Sequence, residues 1–575
     1  LICIAAGACS SSTPSDPPKV SDPKASEPKA PPVAAKPPVD DRYDAESLGA
    51  ITFALSEGKP DAQAHFMRGL LALHSFWYDE ASRQFQAAIT ADPTMNMAYW
   101  GAAMSYCKLL WGDDDVAAAR AVLKRMPDPD RLSEREQAWV VAAVRLVTGD
   151  DVRASRQRFL AEMEQLHASF PDDESATFLA LALLSTIRPE DSDTTALRKR
   201  AAGLASDVFK HNPKHPGAAH YLIHAYDTPE LASLALPFAR DYARIAPAAF
   251  HARHMPAHIF SRLGMWKEAI TSCRSAWDAS VASARREKLS ADHHDFHSLN
   301  WLVEMNFEVG RRKDADAALA MFADAVRGGL DHQQRALYAS QVASYMVRTG
   351  DWMRVDELLA PLDTPAVEDR QEGRAGGSAT HCAPAPASSP TLLLEQKSIL
   401  DARVRAAAMQ HDAAKTEKLI AELDANGQKL RPFLLGTQPK EQVAKIDEIE
   451  ARRRVALHAR ARSNDRALLK VLRESAAEPE PSGETNPSGF LVHEEIAETL
   501  MRLGQPKDAA AEYALALAKH PGRARSLLGA ARANAKAGDP KAARARYEKL
   551  LELWSAPDEG TDGLIEARAA VAASN

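Results

Sequence analysis

HYLIH at residues 220–224 and HMPAH at residues 254–258 decide how this chain is read, because each sets two histidines at i and i+4 and the pairs lie 34 residues apart. Four residues along an α-helix is just over one turn, so the two imidazoles of each pair share a helix face. The surrounding stretch, His211 to Glu304, holds ten of the nineteen histidines in the chain. The same offset recurs near the C-terminus, where Gly504, Pro506, Ala509 and Tyr513 return as Gly538, Pro540, Ala543 and Tyr547. A fixed period of this size marks stacked helix pairs that bury their apolar faces only against their neighbours.

A 34-residue unit of two antiparallel helices resembles the tetratricopeptide repeat. Residues 62–95 match its offsets with Gly69, Ala81, Phe85, Ala88 and Pro93. The packing reason is direct: small residues let the helices approach, the aromatic fills the space between them, and proline ends the second helix. Ala235 with Pro247, Ala269 after Gly264, and Ala315 after Gly310 frame three units through the histidine stretch. In that register His220 and His254 share one first-helix position, His224 and His258 a second, and His251 and His297 a third. Asn300 and Glu304 fall where His254 and His258 do.

The resemblance implies an all-α tetratricopeptide-repeat solenoid without strands, its first helices lining a concave groove. The expected binding groove therefore carries His220, His224, His251, His254, His258, His297, Asn300 and Glu304, with Asp227 and Arg262 facing it as well. It is expected to be open, since burying an imidazole without a partner costs about 1–3 kcal/mol. From Ala218 to Gly310 the wording also resembles a group of bacterial tetratricopeptide proteins that carry HMPxHIF, then LGMW, then an FHSL-type segment. They stand in this chain as residues 254–260, 263–266 and 296–299. That likeness implies the fold and an important histidine face, and names no substrate.

At 575 residues, 45% apolar and 26% charged, the chain is too long for one core and ordinary for a globular protein. A net charge of −7 without a basic stripe offers nucleic acid no electrostatic footprint, so no nucleic-acid partner is expected. The five cysteines, Cys3, Cys9, Cys107, Cys273 and Cys382, form no CxxC and no disulfide framework. The opening LICIAAGAC reads as the end of an apolar signal segment. It resembles a bacterial lipobox, with Ala6-Gly7-Ala8 before Cys9 and Ala6 where that motif prefers Leu. By that resemblance Cys9 is the lipidated first residue, and the protein is anchored at the bacterial cell envelope, on the periplasmic face or the cell surface.

The segments that follow are read in order. Residues 1–9 are a partial lipoprotein signal segment, and 10–43 a disordered Pro-rich tether whose roughly 30 residues could extend about 90 Å at about 3.1 Å each. Residues 44–362 are a helical solenoid with the histidine-rich groove at 211–304; 97–111 reads as one helix, followed by 133–148, 153–170, 174–187 and 196–211. Further helices are expected at 312–327, 333–348 and 352–360. A flexible loop at 363–391, a charged helical region at 392–474 with helices at 392–426 and 439–474, and a second loop at 475–489 interrupt the period. Two repeat units at 490–555 and a segment at 556–575 close the chain.

Three uses of the histidines stay open at this point. The first is a membrane-tethered scaffold that binds a protein or peptide partner in its groove. The second is a metal-binding protein or metal-dependent enzyme, with zinc or copper held by His220 and His224 or by His254 and His258, each pair giving two corners of a site and the missing corners supplied by the next helix or by Glu304. The third keeps the imidazoles hydrogen-bonded to one another as structure. No HExxH, GxSxG or P-loop is present, so the sequence favours binding over marked catalysis.

Overall fold

The computed structural model describes residues 45–573 apart from 113, 150, 189–190, 192, 368–388, 438–439 and 479–490. The signal segment with Cys9, the tether, and most of both interrupting loops lie outside the described residues. The described residues are helices and turns with no strand. None of these helices is long and apolar enough to cross a membrane. They form two compact units that divide between Pro171 and Asp172.

The first unit contains α1 (Pro60–His74), α2 (Tyr78–Ala91), α3 (Asn96–Met104), α4 (Val116–Leu123), α5 (Glu134–Val147) and α6 (Val152–Ser169). Its first hairpin follows the repeat's packing logic. Phe85 of α2 is fully buried, edge-on to Phe66 at 5.5 Å, and a Cβ at Gly69 would come within 2.8 Å of its ring. The helix expected over 97–111 stops at Met104 instead. Ser105 turns its hydroxyl back onto the Ala102 carbonyl, and the chain leaves the helix to set Trp111 edge-on against Phe76 and Tyr78.

The second unit begins with α7 (Asp173–Ser185), α8 (Thr195–His211), α9 (Pro216–Tyr226), α10 (Ala232–Ile245), α11 (Phe250–His254), α12 (Pro256–Arg262), α13 (Trp266–Glu287), α14 (Phe296–Glu308), α15 (Arg312–Gly329) and α16 (His332–Thr349). These are tetratricopeptide-type hairpins: α9 pairs with α10, α11 and α12 together with α13, and α14 with α15. Ala235, Ala269 and Ala315, the framing alanines, are all fully buried where the second helices meet the first. Beyond them the two long charged helices expected at 392–426 and 439–474 are each divided. Pro390–Met409 ends before Ala413–Thr437, and Lys440–Ala461 before Asp465–Ala476. The breaks fall at His411 and Ser463, which take left-handed backbone angles (φ 58° and 52°).

The C-terminal hairpins return to the histidine-bearing ones. Trp266 donates its indole N–H to the Gly522 carbonyl at 2.8 Å, and the Asp558 amide donates to the Gly310 carbonyl at 2.8 Å. Gly264 is needed there twice over, since its φ is +70° and a Cβ would stand 2.5 Å from the Pro521 oxygen.

Candidate metal centre

Each histidine pair is placed by an identifiable local device. His215 caps α9, its Nδ1 accepting from the Ala218 amide at 3.2 Å, so His220 and His224 follow on one face. HMPAH straddles the break between α11 and α12. Pro256 has no N–H to give the Ala252 carbonyl, yet Met255 keeps helical angles (φ −52°, ψ −35°) and His258 bonds back to the Met255 carbonyl at 3.2 Å. His254 and His258 therefore stay one turn apart across the proline. Asp295 caps α14 by accepting from the Ser298 amide at 3.0 Å, which presents His297 in the first turn.

These devices bring six histidines into two groups of three. His220, His224 and His251 form one, and His254, His258 and His297 the other, with the ligating atoms of each group within 4.8 Å of one another. In the first, His220 Nε2 lies 3.0 Å from His224 Nε2 and 3.2 Å from His251 Nε2. In the second, His254 Nε2 and His258 Nε2 are 3.0 Å apart, and the His297 ring centroid is 4.6 Å from that of His254. Two nitrogens bound tetrahedrally to one ion at 2.0–2.1 Å stand about 3.3 Å apart, so His220 with His224 and with His251, and His254 with His258, are close to coordination spacing.

Hydrogen bonding explains this convergence poorly. An imidazole Nε2 has one proton or one lone pair, so His220 Nε2 can make a single good hydrogen bond, yet it faces two neighbouring nitrogens. The second group is more constrained. His258 Nδ1 lies 3.1 Å from Asp227 Oδ2, while Arg262 Nε lies 2.7 Å from Asp227 Oδ1. Burial pushes the Asp227 carboxyl up, but Arg262 and His258 together more than offset this and hold it well below the usual carboxylate range. An ionised carboxylate only accepts, so His258 carries a proton on Nδ1 and, when the ring is neutral, a lone pair on Nε2. His254 Nδ1 is 2.8 Å from Ser298 Oγ, whose hydroxyl is turned to Asp295 Oδ2. Ser298 then accepts from His254, whose Nε2 also carries a lone pair. With both rings neutral, two lone pairs face each other 3.0 Å apart, an arrangement that a metal ion or a shared proton relieves.

Burial favours the neutral form of three of the rings. Burial, then the neighbouring His220, holds His224 and His251 well below the ordinary imidazole range; burial, then His297, does the same for His254. Tyr242 stacks on His220 at 5.1 Å, and Trp301 packs against His254, His258 and His297 at 5.1, 4.6 and 5.6 Å. Cys273 Sγ is 3.5 Å from His254 Nδ1, and burial pushes its thiol far up, so it stays protonated.

Several expectations need correction. The histidine face is not an open groove: His220, His224, His254 and His258 are buried, with only His251 half-buried and His297 exposed. The hydrophobic walls and mutual contacts of the rings, not solvent, surround them. The two histidine pairs fall in separate groups, each completed by a third imidazole from the first helix of the next hairpin, His251 or His297. Glu304 supplies no corner, because its carboxylate receives Gln341 Nε2 at 2.7 Å and Arg348 Nε at 3.1 Å. Asn300 is buried in α14 and belongs to neither group. Asp227 and Arg262 form the salt bridge that orients His258. Ser298, Asp295 and Trp301 were not foreseen, since only the fold brings them to His254.

No protein-family model matches the chain, and no curated protein sequence does. Solved structures of helical-repeat proteins are similar. An APC/C hetero-tetramer, Cut9-Hcn1, is 12% identical over 77% of this chain and 84% of that one, with a TM-score of 0.34. A human IFIT1 dimer with m7Gppp-AAAA is 13% identical over 86% and 91%, with a TM-score of 0.33. The P58(IPK) TPR domain is 14% identical over 90% and 99%, with a TM-score of 0.18. At these scores the all-α repeat assignment rests on the helices described above.

Proposed function

We propose that this helical-repeat scaffold is a metal-binding protein that holds zinc or copper at two three-histidine sites, His220/His224/His251 and His254/His258/His297. The observation that carries it is the 3.0 Å approach of His254 Nε2 to His258 Nε2 while their Nδ1 atoms are turned to Ser298 and Asp227. Neutral imidazole nitrogens suit both metals, and a carboxylate or hydroxyl behind a ligating histidine is the usual way its tautomer is set. A peptide lying across the histidine positions is the weaker use, because four of the six rings are buried. Anchorage at a bacterial envelope membrane belongs to the same proposal and is supported by Ala6-Gly7-Ala8 before Cys9.

The test is metal content of the full chain after loading with zinc or copper(II) and desalting. Two ions per chain are expected, falling to one in His254→Gln/His258→Gln and to one in His220→Gln/His224→Gln, with helical circular dichroism kept. A wild-type protein that retains no more metal than these variants would overturn the proposal.

A further inference from the structure

We infer that the ion held by His254, His258 and His297 keeps one coordination position for a small exchangeable anion, hydroxide or a compact oxyanion, which the Trp301 indole N–H helps to bind. This rests on the metal-binding role proposed above and adds the class of ligand. Three observations support it.

The site offers three protein donors, whereas a closed structural zinc site takes four; three ligands leave a position for solvent or substrate. All three donors are neutral imidazoles, so a divalent ion brings charge that nothing in the ligand set cancels. The neighbouring carboxylates are committed elsewhere: Asp227 to Arg262 and His258, Asp295 to Ser298, Glu304 and Glu308 to Arg348. An external anion supplies the missing negative charge, and exposed His297 places the site at an accessible edge.

Trp301 gives the third observation. It is fully buried and its ring lies against all three imidazoles, yet among the described residues its Nε1–H has no hydrogen-bond partner. Such a donor, beside a cation site, is costly unless an acceptor joins it. An anion on the ion would be such an acceptor.

Azide is the probe. On copper(II)-loaded protein it is expected to bind saturably, with a new ligand-to-metal absorption band and a changed electron paramagnetic resonance spectrum. Trp301→Phe should keep its copper and bind azide at least about tenfold more weakly. Because that variant alters the core, zinc-loaded wild type gives an independent readout: one of the nine indole N–H resonances should move on adding azide, and not in the metal-free protein. Full copper content with no azide response overturns this inference and leaves the metal sites standing. So does an azide affinity unchanged by Trp301→Phe together with an unmoved indole signal. Absence of bound copper removes both.

Discussion

His258 and Asp227 meet at 3.1 Å although they lie 31 residues apart, one inside α12 and the other at the end of α9. The residue that closes the helix bearing the first histidine pair thus fixes the proton of a ligand in the second. Asp227→Asn keeps the size of the side chain but can turn an amide donor toward His258 and impose the wrong tautomer. Metal affinity of the second site should fall about 10–100-fold, with the first site unchanged. Competition against a calibrated chelator separates the two steps, and equal weakening of both would contradict the assignment.

The third ligands differ in exposure, and this separates function from stability. His297 is exposed, so His297→Gln should change metal-free stability by no more than about 0.5 kcal/mol. It should nonetheless remove the stabilisation that metal gives through the second site. With ion at 100 times its dissociation constant that gain is about 2.7 kcal/mol per site. Urea unfolding with and without zinc measures both quantities in the same variant.

The 34-residue period made the hairpins legible, because Gly69 against Phe85 and the buried Ala235, Ala269 and Ala315 are packing requirements written as residue types. The breaks at His411 and Ser463 were hidden, since neither is the glycine that a left-handed turn usually announces. The signal was one step later, in Asp412 and Asn464, whose side chains cap the following helices at Lys415 and Ala467. At the site, register named the six histidines but not their grouping. His251 belongs to the second hairpin by sequence, yet its Nε2 reaches back 3.2 Å to His220 of the first. Periodicity treats equivalent positions alike, and that reach breaks the equivalence.

Two glycines with similar backbone angles give a controlled comparison. Gly264 (φ +70°) faces the Pro521 oxygen, while a Cβ at Gly350 (φ +74°) would meet nothing within 4 Å. Gly350→Ala should therefore cost only the left-handed penalty, roughly 1–2 kcal/mol. Gly264→Ala adds a backbone clash and should push the C-terminal hairpins off the turn. Hydrogen exchange at the Ala524 amide, which bonds Glu308 Oε2 at 2.6 Å, should quicken in Gly264→Ala and stay as in wild type in Gly350→Ala.

Acid should loosen the same contact through Glu494. Burial raises its carboxyl, but Arg523, whose Nε lies 2.7 Å from Oε1, with Arg525 and Ser526 more than offsets this and holds it down to about 2. A depressed carboxylate contributes stability that is complete above its unfolded value of about 4.5 and is lost as pH falls toward 2, about 3 kcal/mol in all. Glu494→Gln removes the titrating group while leaving an oxygen to receive Arg523. The stability gap between wild type and Glu494→Gln should be constant from pH 7 to about 5.5 and narrow steadily between about pH 4.5 and 3. Urea midpoints across that range measure it, and a gap that widens as pH falls would show that Arg523 does not hold Glu494 in its ionised form.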